Sequence, residues 1–295
     1  MTENEFILQD RLGVIRDTIN KYGEENFYIS FSGGKDSTVV HHLVDMALPE
    51  NKIPRVFVNT GIEYNAIVEF VREREREDDR FVIIQPNKNI KKMLEEVGYP
   101  FKSKEHSVYV HEWQVGHKDR GYMKRYLSKK DFGCPNILRY QFSDEFKLKV
   151  SDKCCKELKK KTFNKWLKEN HKKTRITGMM KAEGGQRTKI NCILLKDNKL
   201  IAFHPLAKVT HEWEEWFIKE FDIKLCKLYY EPYNFKRTGC KGCPFSLDLS
   251  EQLAVMDRYG MEGERKQCEY IWQPVYEEYR RIGYRLKSEE QIKLF

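Results

Sequence analysis

The sequence predicts an α/β fold, a doubly wound parallel sheet with a helical, cysteine-bearing extension at its C-terminal end. Three observations carry this. Short apolar, β-branched runs at 27–31, 55–58 and 81–84 each precede a segment of helical periodicity. A glycine pair, Gly33-Gly34, follows the first run, at the strand-to-helix turn where open parallel sheets bind ligands. Strands that alternate with helices imply parallel pairing through right-handed crossovers.

Ile7, Leu8, Leu12, Ile15, Ile19 and Tyr22 recur at helical spacing, with Gly23 as a C-terminal stop. Phe27-Tyr28-Ile29-Ser30-Phe31 is the first strand, and Val39, Val40, Leu43, Val44 and Met46 mark the helix after it. The unit repeats as 55–58 with a helix around 67–76, and as 81–84 with a helix near 90–97. From Pro100 to about Ser143 periodicity blurs, which reads as an irregular insertion. A helix over about 153–170 precedes a strand at 174–177, and Thr210 is an N-cap for a helix bearing Trp213, Trp216, Phe217 and Phe221. Two further helices fill about 249–259 and 264–282. The expected organisation is a nucleotide-binding region over 1–225 and a cysteine-bearing helical region over 226–295 packed on it.

Composition narrows the function classes. With 40% hydrophobic and 13% aromatic residues in 295, the chain can bury a sizeable core, which excludes disordered and fibrous classes. No apolar run approaches the roughly 18 residues of a membrane helix, and the acidic start Met1-Thr2-Glu3-Asn4-Glu5 is unlike a signal peptide. A cytoplasmic protein is the expectation, so the eight cysteines point to metal binding or catalysis before disulfides. The net charge is +9, and residues 146–175 alone hold twelve Lys and Arg against three acids. That segment is either a solvated helix face or a surface for a polyanion such as tRNA or DNA.

Ser30-Phe31-Ser32-Gly33-Gly34-Lys35-Asp36-Ser37 joins strand to helix. Two glycines admit an anion close to the backbone. The helix start favours negative charge, and Ser32, Lys35 and Ser37 add donors, so phosphate is the natural guest. The spacing is not that of the GxxxxGK[ST] loop. Ser32 to Ser37 resembles the pyrophosphate loop of the adenine nucleotide alpha-hydrolase group, and the resemblance extends to the phosphoadenosine phosphosulfate (PAPS) reductase family. Asn59-Thr60-Gly61 resembles that family's Asp-Thr-Gly by the adenosine. Gly178, Glu183 and Arg187 match its Gly-x-Arg-x-x-Glu-Ser-x-x-Arg element, and His204-Pro205-Leu206 with Thr210 to Trp213 resembles its passage into a helix.

Cys154-Cys155 and, 84 residues on, Cys240-Lys241-Gly242-Cys243 make two thiol pairs. Soft thiolates in this number select an iron–sulfur cluster or zinc. The family resemblance implies a 4Fe–4S cluster, with zinc as the alternative. Cys134, Cys192, Cys226 and Cys268 read as core cysteines. Three departures from the family stand out: Met180 where an anion-binding Arg is usual, Gly184 in place of Ser, and a tail Gln291-Ile292-Lys293-Leu294-Phe295 without the nucleophilic cysteine of sulfonucleotide reductases.

The expectation is therefore an enzyme that splits ATP, with Mg²⁺, to AMP and pyrophosphate and adenylates an acceptor for sulfur transfer. The resemblance implies that Gly33, Gly34 and Ser37 hold the pyrophosphate and that Lys35 neutralises it. Asp36 would orient Mg²⁺ or serve as a helix-start acid, and Glu183 and Arg187 would face the reacting phosphate. The alternatives are an APS or PAPS reductase that uses an external thiol, and an accessory subunit that senses ATP without turnover. The sulfur donor or thiol reductant and the acceptor are unspecified by the sequence.

Overall fold

A computed structural model of the chain describes residues 1–128 and 133–287, so the cysteine-free tail at 291–295 lies outside the described residues. In chain order the elements begin α1 (Glu3–Tyr22), β1 (Phe27–Ser30), α2 (Lys35–Ala47), β2 (Arg55–Val58), α3 (Asn65–Glu77) and β3 (Phe81–Ile84). Next come α4 (Ile90–Val97), α5 (Lys104–Gln114), α6 (Gly121–Ser128), a 3-10 stretch (Asn136–Phe142), one π turn (Lys156–Lys160) and α7 (Lys161–Glu169). The chain continues with β4 (Thr174–Ile176), β5 (Ile193–Lys196), β6 (Lys199–Phe203), α8 (His211–Glu220), α9 (Leu249–Arg258) and α10 (Glu262–Arg281).

Two compact units share the chain. The first gathers Met1–Asn59, Asn65–Gln85 and Thr162–Thr238; the second gathers Thr60–Tyr64, Pro86–Lys161 and the described residues from Gly239 onward.

The first unit holds the whole sheet, in the order β3-β2-β1-β4-β6-β5, with every pairing parallel except the β5–β6 hairpin at the edge. The α/β fold with a mostly parallel sheet and flanking helices, expected from the alternation of elements, is what forms. The order reverses between β1 and β4, and ligands of open α/β sheets bind at such a reversal, beyond the carboxyl ends of the strands. Parallel strands buried on both faces read as continuous apolar runs, and β2 is buried at all four positions.

Its first residue is the exception in chemistry: Arg55 is fully buried and pairs with Asp45. Arg55 also donates to Asn51 Oδ1 at 2.9 Å and to His41 Nδ1 at 3.1 Å, and Arg80 reaches Asp45 at 2.9 Å. Ile15 and Ile19 of α1, Val40 and Leu43 of α2, and Trp213 and Phe217 of α8 meet Phe27 and Ile29 in one core. Thr210 caps α8 as expected, accepting from Trp213 N–H at 3.2 Å, while Trp213 Nε1 donates to Asn4 O at 3.1 Å. The hairpin was not anticipated; its turn is Asp197-Asn198, both at positive φ, which these residues tolerate.

The second unit is helical. The stretch read as irregular holds α5 and α6 instead. Ser103 caps α5 by accepting from His106 N–H at 3.1 Å, a polar signal masked by the crowding of aromatics around it. His106 is fully buried, with Nδ1 2.8 Å from Tyr126 Oη and Nε2 2.8 Å from Gln141 Oε1. A neutral imidazole serves both: Nε2–H donates to the amide oxygen and Nδ1 accepts from the phenol.

Burial lowers the His106 pKa to about 4, against 6.5 in an exposed chain. Between pH 6.5 and 4 the unfolded state therefore binds a proton that the folded state refuses, and stability falls as pH falls through that window. We predict that His106 accounts for about 2 kcal/mol of the stability lost between pH 7 and pH 5. Urea unfolding of wild type and His106→Gln at both pH values checks this. An identical pH 7-to-5 loss in the two proteins contradicts a neutral, buried His106.

Candidate functional site

In the first unit, β1 ends at Ser30 and α2 begins at Lys35, so the turn from strand to helix is made in four residues. Gly33 sits at φ +70°, and a Cβ there would come within 2.8 Å of Ile67 Cγ2, so only glycine fits. The loop braces itself through hydroxyls. Ser32 N–H donates to Ser37 Oγ at 3.2 Å, Gly34 N–H donates to Ser32 Oγ at 3.3 Å, and the two serine oxygens are 3.0 Å apart. Ser37 and Thr38 both donate to Gly34 O, at 2.9 and 3.0 Å.

The carboxyl end of β4 leans on the same turn. A Cβ on Gly178 would meet Asp36 O at 2.6 Å and Asp36 C at 2.7 Å, so this glycine is required by close backbone packing against the first turn of α2. Beyond it, Glu183 is nearly buried and binds two guanidinium groups, Arg187 and Arg237, the latter at 2.5 Å. Burial and the neighbouring Arg237 lower the Arg187 pKa, partly offset by the charge of Asp36. Gly178, Glu183 and Arg187 thus join Ser32 to Ser37 in one region of this unit, with Arg237 as a cation the sequence reading missed. Met180, in the position of the family's Arg, is fully buried in the core.

Lys35 Nζ lies 3.2 Å from Oε2 of Glu214, a residue of α8 with no exposed surface. The side chains in reach of its carboxylate are Lys35 and Asp36. Burial, then the charge of Asp36, push its carboxyl up to about 7, with Lys35 pulling the other way. Sequence reasoning gave no sign of Glu214, which flanks Trp213 on a helix read for its aromatic face.

Asn59 closes β2 on the same sheet edge, its N–H donating to Ile84 O at 2.9 Å. Thr60 and Gly61 belong to the second unit, where Thr60 N–H and Oγ1 donate to Glu63 at 2.7 and 2.8 Å.

All four paired cysteines fall in the second unit. Cys154 is buried, and Cys155, Cys240 and Cys243 are half-buried. The Cys240–Cys243 turn places Gly242 at φ +59°, where a Cβ would strike Tyr276 Oη and Cys268. Three aromatics of α10 clamp it: Trp272 donates to Lys241 O at 3.1 Å, Tyr276 to Gly242 O, and Tyr279 to Pro244 O at 2.8 Å. Burial raises the thiol pKa of Cys154, Cys240 and Cys243, the last to about 12, and the charges of neighbouring thiolates raise each further. Such a set stays ionised together only with a cation among it, and four soft donors close enough to feel one another's charge fit a thiophilic metal group. Lys159, 3.1 Å from Glu63 Oε1, has its pKa raised chiefly by Cys240.

Among the described residues, the set of three metal-capable atoms within 4.8 Å of one another is His41, Asp45 and Asp78, where Arg55 and Arg80 already supply the positive charge. The basic segment is divided between the units; Lys156 and Lys160 are exposed on the π turn, and Lys165 and Lys168 on α7. Several of its other lysines are engaged, Lys161 with Glu157 and Lys172 with Glu25 O at 2.7 Å. No helix among the described residues is long and apolar enough to cross a membrane.

Residues 26–246 match the family model described as the phosphoadenosine phosphosulfate reductase domain. An uncharacterized protein of Methanocaldococcus jannaschii is 30% identical over 93 residues, 31% of this chain, and the match spans 22% of that relative's length. Among solved structures, Candida glabrata FMN adenylyltransferase in complex with FAD and inorganic pyrophosphate is similar at TM-score 0.50 and 14% identity, covering 81% of this chain and 62% of that one. PAPS reductase from Candida auris, in a phosphate complex, aligns over 81% of this chain and 96% of its own at TM-score 0.49 and 12% identity. At these identities the likeness is one of fold.

Glu214 yields a stability test. Its folded pKa is raised, so the fold favours the protonated acid and stability is lost as pH rises from 4.5 through 7. We predict that Glu214→Gln, which keeps the shape and removes the charge, is more stable relative to wild type at pH 8 than at pH 4.5, by up to about 3 kcal/mol, as the upward shift of the Glu214 carboxyl requires. Denaturant melts at the two pH values measure it. Equal destabilisation at both would show that Glu214 is a structural anchor.

Proposed function

The chain belongs to the phosphoadenosine phosphosulfate reductase domain family, and we propose that it splits ATP between the α and β phosphates, adenylating an acceptor for sulfur transfer. The observation that carries the reading is the braced Ser32–Ser37 turn at the sheet's reversal point, with Lys35, Arg187 and Arg237 supplying positive charge around it. In this reading the acceptor oxygen attacks the α-phosphorus, the α–β bridging bond breaks, and pyrophosphate leaves with the electron pair. Gly33, Gly34 and Ser37 hold the leaving pyrophosphate. Lys35 exchanges Glu214 for the charge that develops on it, and Asp36 would orient Mg²⁺, which would add charge neutralisation when bound. Asn59 lies by the adenosine, while Arg187, steadied by Glu183, faces the reacting phosphate.

Cys154, Cys155, Cys240 and Cys243 would hold a 4Fe–4S cluster, which supplies sulfur-binding or electron-carrying chemistry when present. Support comes from their number and softness, which suit an iron–sulfur cluster or zinc, and from the family resemblance, which favours the cluster. The exposed lysines of the 146–175 segment are proposed to meet a polyanionic acceptor, tRNA or DNA. The second reading, a sulfonucleotide reductase served by an external thiol, rests on the family. Against it stands Met180, which puts a buried thioether where a sulfate would need a cation.

Two experiments decide. Purified protein with tRNA or DNA should convert ATP to AMP and pyrophosphate, with stimulation that falls steeply as salt rises. Lys35→Ala should cost about 10²-fold in pyrophosphate release. Sulfite released from APS or PAPS with a thiol reductant, and no pyrophosphate from ATP, would overturn the assignment. Anaerobically purified protein should contain iron and acid-labile sulfide and show visible absorbance that Cys240→Ser abolishes. Stoichiometric zinc without iron would sink the cluster.

A further inference from the structure

The first turn of α2 has an unusual cap. Its N-cap residue is Gly34, which has no side chain to offer, and the Lys35 N–H is donated instead to Tyr229 Oη at 3.1 Å, from a residue 194 positions away. Tyr229 Oη in turn lies 2.7 Å from Thr238 Oγ1. Both hydroxyls crowd the loop, since a Cβ on Gly34 would come within 3.2 Å of the first and 3.4 Å of the second.

Three backbone donors of this turn are therefore satisfied by hydroxyl oxygens: Ser32 N–H by Ser37, Gly34 N–H by Ser32, and Lys35 N–H by Tyr229. The serines belong to the turn itself and brace it. Tyr229 comes from outside, so its oxygen alone can leave without undoing the loop. It stands where the positive end of α2 would place an anionic oxygen.

The segment that carries it is fixed at both ends. Leu228 is fully buried and its carbonyl accepts from Phe235 N–H at 2.8 Å, while Arg237 is held by Glu183. Glu183 also holds Arg187. An anion large enough to span the turn competes with Tyr229 for the Lys35 N–H and with Glu183 for the two guanidinium groups. The Tyr229 contact and the Arg237 contact of the segment thus answer to one ligand.

We propose that Tyr229, backed by Thr238, is the gate of the phosphate loop: its hydroxyl keeps the place of a phosphate oxygen on the Lys35 N–H and withdraws when a polyphosphate group enters. The proposal rests on the nucleotide reading of the loop. Tyr229 acts through the loop as a positioning residue, and it lowers affinity for the anion by the strength of the contact it must give up. One neutral hydrogen bond of this kind corresponds to about 3- to 10-fold in binding.

The test is calorimetric titration of inorganic pyrophosphate, and separately of ATP, into the full chain. The proteins compared are wild type, Tyr229→Phe, Thr238→Val and Tyr230→Phe, the last removing a hydroxyl that accepts from Leu225 N–H instead. Tyr229→Phe should bind pyrophosphate about 3- to 10-fold more tightly than wild type, Thr238→Val should shift in the same direction, and Tyr230→Phe should not. Loss of a merely structural hydroxyl would weaken binding or leave it alone, so tightening is specific to a gate. If wild type binds and Tyr229→Phe binds equally or more weakly, the gate is wrong while the nucleotide site stands. If no variant binds pyrophosphate or ATP, the nucleotide reading itself falls and takes the gate with it.

Discussion

The turn through Gly33 and Gly34 is the constraint on which the sheet's carboxyl edge depends. Strand and helix are separated by four residues, so the chain has to reverse through a left-handed position with Ile67 against its back. Once that is set, the rest follows by contact. The first turn of α2 presents Asp36 to the backbone of Gly178, the loop after β4 carries Glu183 and Arg187 alongside, and the lysine that opens α2 reaches Glu214. A side chain at Gly33 or Gly178 would displace backbone, and the cations around the loop would move with it.

Charge is handled differently in the two buried networks of the first unit. Around Arg55 every group is answered: Asp45 by two guanidinium groups, Asn51 by Arg55, and His41 by Arg55 Nε, so the cluster reads as structure. Around Glu214 the charges do not balance, since a buried carboxylate faces one lysine at 3.2 Å and a second carboxylate, Asp36. Natural cores rarely leave a carboxylate so placed unless something other than stability retains it. The contrast marks the loop, and not the Arg55 cluster, as the place where the fold holds electrostatic tension in reserve.

What could be read in one dimension was local. The Gly-Gly turn, the Thr210 cap and the paired cysteines each declare themselves within a few residues, because their chemistry is set by spacing. Residues that act across the fold left no such trace. Tyr229, backed by Thr238, meets Lys35 over 194 positions, and Arg237 meets Glu183 over 54. Glu214 looks like any helix acid until its burial is known. The helices of the 100–143 stretch were hidden because the buried polar groups there, His106 paired with Gln141 and Ser107 paired with the Phe101 backbone, blur the apolar period. The Asp197-Asn198 turn was legible in principle, as two residues that accept positive φ between apolar runs, but its outer strand is exposed throughout and lacks the alternation that announces a sheet.

The clamp of α10 on the Cys240–Cys243 turn bears on how such a centre is assembled. In small metallo-domains the ligands converge only as the ion arrives, so binding and folding are one event. Here the carbonyls at 241, 242 and 244 are already claimed by Trp272, Tyr276 and Tyr279, whose rings are buried in the helical unit. The loop that bears two of the four thiols is thus shaped by aromatic packing that owes nothing to the guest. Under the proposed metal role, loading would be a docking step onto a loop already shaped, its rate governed by delivery and deprotonation instead of chain rearrangement, and an emptied protein would keep that loop ready for refilling.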